Sequence, residues 1–130
     1  MYLPKAVQKE CDERETAISQ KIEHGIFIVR EVREVREVRN VLSLGMGHGE
    51  RETISLAVQL EIEWVLIDDE RAMKKAKQQG LRILQFFDIL LAGKTRNLLS
   101  SVRASLDVMK AEGEGIESEL YSEILQQAKE

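Results

Sequence analysis

The chain has 130 residues, of which 43% are hydrophobic and 32% charged, and its net charge is -4. That length closes one sizeable core and excludes a second independent domain, while the acidic balance excludes a chain-wide basic field for nucleic acid. A single cysteine, Cys11, excludes an intrachain disulfide or multi-cysteine metal site, and no apolar run reaches membrane-spanning length, so a cytoplasmic protein without a membrane partner is expected.

Residues 4–23 open with Pro4, a favoured first helical position, and carry Ala6, Val7, Cys11 and Ala17 among charges, which predicts an amphipathic helix ended by Gly25. GIFIV at 25–29 is β-branched and aromatic and predicts a short strand. It enters VREVREVREVRN at 29–40, the one low-complexity segment, read as a charged connector in which Arg30–Glu34 and Arg33–Glu37 pair opposite charges at i,i+4. The glycine-dense turn LGMGHGE at 44–50 leads into a helix whose buried stripe is Ile54, Ala57, Val58 and Leu60. WVLI at 64–67 is a continuous apolar run, read as a strand buried on both faces, and it stops at Asp68, Asp69 and Glu70. ERAMKKAKQQ at 70–79 predicts a helix closed by Gly80, and LRIL the next strand, so strand, helix and strand follow one another with a parallel crossover. Residues 86–130 form a helical C-terminal part in three pieces separated by Gly93 and the Gly113/Gly115 pair.

Ligands in open α/β sheets bind beyond the carboxyl ends of the strands, which is where Asp68 and Asp69 fall. Adjacent carboxylates held together need a shared cation or proton, and hard oxygen ligands suit Mg²⁺ or Mn²⁺. Capping of the helix at 70 by either aspartate explains the pair equally well, and both readings stay open. Glu50 and Glu52 open the middle helix, where the macrodipole favours acids, and their spacing lets at most one face a metal. The GMGHG stretch lacks both the dinucleotide fingerprint and the Walker lysine, and His48 within it has no partner constellation. Arg71, Lys74 and Lys75 follow the acids and suit the backbone of a phosphodiester, or form the solvated face of a helix.

Five stretches resemble the PIN-domain family, specifically a prokaryotic subgroup related to toxin ribonucleases: LPKAVQKE at 3–10, LGMGHGERETISLA at 44–57, WVLIDDERAMKKAKQQGLRIL at 64–84, DILLAGKTRNLLSSV at 88–102, and GIESELYSEILQQAKE at 115–130. The resemblance implies a single α/β domain over residues 1–130, with a parallel sheet between helices in three layers. It implies a metal-dependent endoribonuclease, with Mg²⁺ or Mn²⁺ held by Glu10, by Glu50 or Glu52, and by Asp68 or Asp69. It also implies RNA as the substrate, which the basic cluster Arg71, Lys74 and Lys75 suits, and a cognate antitoxin as a protein partner, while exposed strand edges suit a second copy of the chain. The family's first central strand, which ends in an aspartate, has no counterpart here, so weak or absent nuclease activity is expected. The alternative is a non-catalytic remnant that binds RNA or protein. QFFDIL at 85–90, where relatives carry a glycine-containing turn, is a further departure.

Overall fold

In the computed structural model, residues 1–13, 25, 27–33 and 46–130 are described. The end of the first predicted helix, His24 and most of the VRE repeat lie outside them. The contacts divide the chain into two units, Met1–Leu84 and Gln85–Glu130.

The first unit begins with strand β1 (Tyr2–Pro4), helix α1 (Lys5–Glu13) and strand β2 (Ile28–Arg30). β1 and β2 pair in parallel, with Leu3 opposite Val29. Strand β1 replaces the expected helix start at Pro4. The Met1 carbonyl accepts from the Ile28 amide at 2.9 Å, so Met1 and Leu3 turn their ladder groups towards β2, whereas Tyr2 and Pro4 turn theirs away. Proline's missing N–H is therefore not required by the pairing.

Helix α2 (His48–Gln59) follows the glycine turn as expected, with Ile54 and Ala57 buried in one core and Leu56 buried on another side of the helix, but Leu60 of the expected stripe is 40% exposed and Val58 only partly buried. Strand β3 (Trp64–Leu66), helix α3 (Glu70–Gln78) and strand β4 (Arg82–Leu84) make the anticipated parallel crossover, with Trp64 opposite Arg82 and Leu66 opposite Leu84. Gly80, at φ +77°, provides the left-handed turn that ends α3. Ile54 and Ala57 of α2, Val65 and Ile67 of β3, Ala72 and Ala76 of α3, and Leu81 form one core. Replacing the fully buried Ile54 by alanine at its centre would cost about 2–5 kcal/mol. The two strand pairs are separate parallel sheets.

β3 is not buried on both faces. Val65 and Ile67 point into the core at 5% exposure each, while Trp64 and Leu66 remain 42% and 38% exposed. The run of apolar residues in WVLI concealed this period-two alternation, because a tryptophan and a leucine on the outer row look identical in pattern to core residues.

The second unit contains helices α4 (Phe86–Thr95), α5 (Val102–Ala111) and α6 (Ser118–Ala128), around Leu90, Val102, Leu106, Ile124 and Leu125. QFFDIL is the start of α4, where the Asp88 carboxylate accepts from the Gln85 amide at 2.8 Å. Gly93 does not separate two helices as expected but lies inside α4. Its carbonyl accepts from the Leu98 amide at 2.9 Å, and the reversal falls at Asn97, φ +57°. Asparagine tolerates the left-handed region, so no glycine is needed there. Ser101 caps α5 through the Ala104 amide.

Candidate functional site

Helices α1 and α2 meet at their N-terminal turns, where unpaired backbone amides need acceptors. Glu10 Oε1 of α1 accepts from the Gly49 amide in the first turn of α2 at 3.2 Å. Glu52 Oε2 of α2 accepts from the Ala6 amide in the first turn of α1 at 2.9 Å. Each helix is thus capped by the other's glutamate. Gly49 permits the approach: a Cβ there would meet both Glu10 carboxylate oxygens at 2.9 Å and Val7 Cγ2 at 3.1 Å.

Beside this junction lies an open cleft of about 680 Å³, lined by Lys5, Lys9, Glu10, Asp12, His48 and Glu52 among others. Glu52 Oε1 is 3.8 Å from His48 Nδ1, so Glu52 faces the histidine with one oxygen and the Ala6 amide with the other. Lys5 is drawn to Glu31 at 2.7 Å, and that hydrogen bond, with the opposite charge, raises the lysine's pKa and lowers the glutamate's. Of the five candidate ligands, Glu10 and Glu52 are therefore brought to one cleft.

The other three are placed differently. Glu50 folds back over the α2 N-cap residue Gly47, where any side chain would collide with its carboxylate. Asp69 Oδ1 accepts from the Ala72 amide at 2.8 Å and caps α3, as one of its two readings expects. Asp68 is exposed at the end of β3. Among the described residues, no group of three or more His, Cys, Asp and Glu side chains is placed to hold a metal ion. The described residues do not make up a complete metal centre: of the candidate ligands only Glu10 and Glu52 reach one cleft, and each is engaged by a helix amide.

Arg71 and Lys74 are exposed on α3, and Lys75 is half-buried in its last turn. The Arg82 guanidinium lies over the Trp64 ring, 4.1 Å from its centroid. No described helix is long and apolar enough to cross a membrane. Sequence reasoning passed over Lys5 and Lys9 and left His48 without a partner. The i,i+4 spacing of Lys5 with Lys9, and of His48 with Glu52, was the available signal that each pair shares a helix face.

Parallel strand pairs joined through helices define a small α/β domain. The chain belongs to the PIN-domain family: the family described as DUF3368, PIN domain, matches residues 1–130. Among curated proteins and solved structures, nothing matches the chain. PIN domains generally use divalent metal ions.

Proposed function

We propose that this chain is a PIN-type domain directed at RNA, of nuclease ancestry, which by itself cleaves weakly or not at all. The observation that carries this reading is the reciprocal capping of α1 and α2. A carboxylate whose oxygen already accepts a helix amide is stabilised where it stands and gains less by turning to a cation that holds its water shell tightly. Retention of RNA falls to Arg71, Lys74 and Lys75 on α3, which hold the backbone by charge. The protein partner under this reading is a cognate antitoxin or a second copy of the chain, and the compartment is the cytoplasm.

The test incubates the folded chain with single-stranded RNA in Mn²⁺ and, separately, in EDTA. The expected result is retention of RNA in EDTA with little or no cleavage in Mn²⁺. Sustained Mn²⁺-dependent cleavage, abolished by Glu10→Gln and by Asp68→Asn, would overturn the reading in favour of an active endoribonuclease.

A further inference from the structure

We draw no further inference here: the strongest candidate, the open cleft at the junction of α1 and α2 where Lys9 and His48 stand beside Glu10 and Glu52, belongs to the site already described.

Discussion

Glu10 and Glu52 cap each other's helices: the first accepts from the Gly49 amide of α2, the second from the Ala6 amide of α1. The exchange ties two helix N-termini into one unit, because neither amide can be satisfied within its own helix. It also places two carboxylates in the cleft with His48 and Lys9, so one arrangement accounts for their proximity and for their engagement.

Gly49→Ala tests this junction. Alanine normally stabilises a helix over glycine by up to about 1 kcal/mol. Here the new methyl would displace the Glu10 carboxylate and crowd Val7, so a net destabilisation of about 1 kcal/mol is expected in urea unfolding. In a Glu10→Ala background the same change should become neutral or stabilising. A stabilising effect in the otherwise natural chain would contradict the packing.

Asp69 should behave as a cap. Asparagine accepts the Ala72 amide as well as aspartate does, so Asp69→Asn should leave thermal stability nearly unchanged, whereas Asp69→Ala should cost about 1 kcal/mol. Equal loss in both variants would show that the negative charge itself is required at the strand end.

The Glu130 carboxylate accepts from the Val102 amide at 2.7 Å and the Arg103 amide at 3.0 Å, with Lys94 Nζ at 3.3 Å. These donors, the Arg103 amide foremost, with help from the Ser101 hydroxyl, hold its pKa down from 4.5 to about 2. Because the folded value lies below the unfolded one, the stabilisation is fully present above pH 4.5 and is lost as the pH falls towards about 2. Glu130→Gln should therefore be less stable than the natural chain at neutral pH and should show a flatter acid dependence across that window. Circular dichroism of the helical signal during acid titration measures it, and identical pH profiles would refute the assignment.

The parallel crossover from β3 through α3 to β4 was legible in the sequence, since WVLI, an acidic break, an amphipathic helix, Gly80 and LRIL each announce their role locally. The helix at His48 and the three C-terminal helices were legible for the same reason. β1 was not, because three residues ending in proline carry too short a period and are recognised only through their pairing with β2.

For the acidic residues, the sequence by itself determined their number, their kinds and their tendency to sit at helix and strand ends. Only the tertiary structure decided what each one faces. Glu10 and Gly49 are 39 residues apart and meet through the packing of two helices, a contact that no local pattern encodes. Likewise, WVLI determined an apolar strand, but which of its two rows meets the core depends on where α2 and α3 lie. That placement leaves Trp64 outside, with Arg82 upon it.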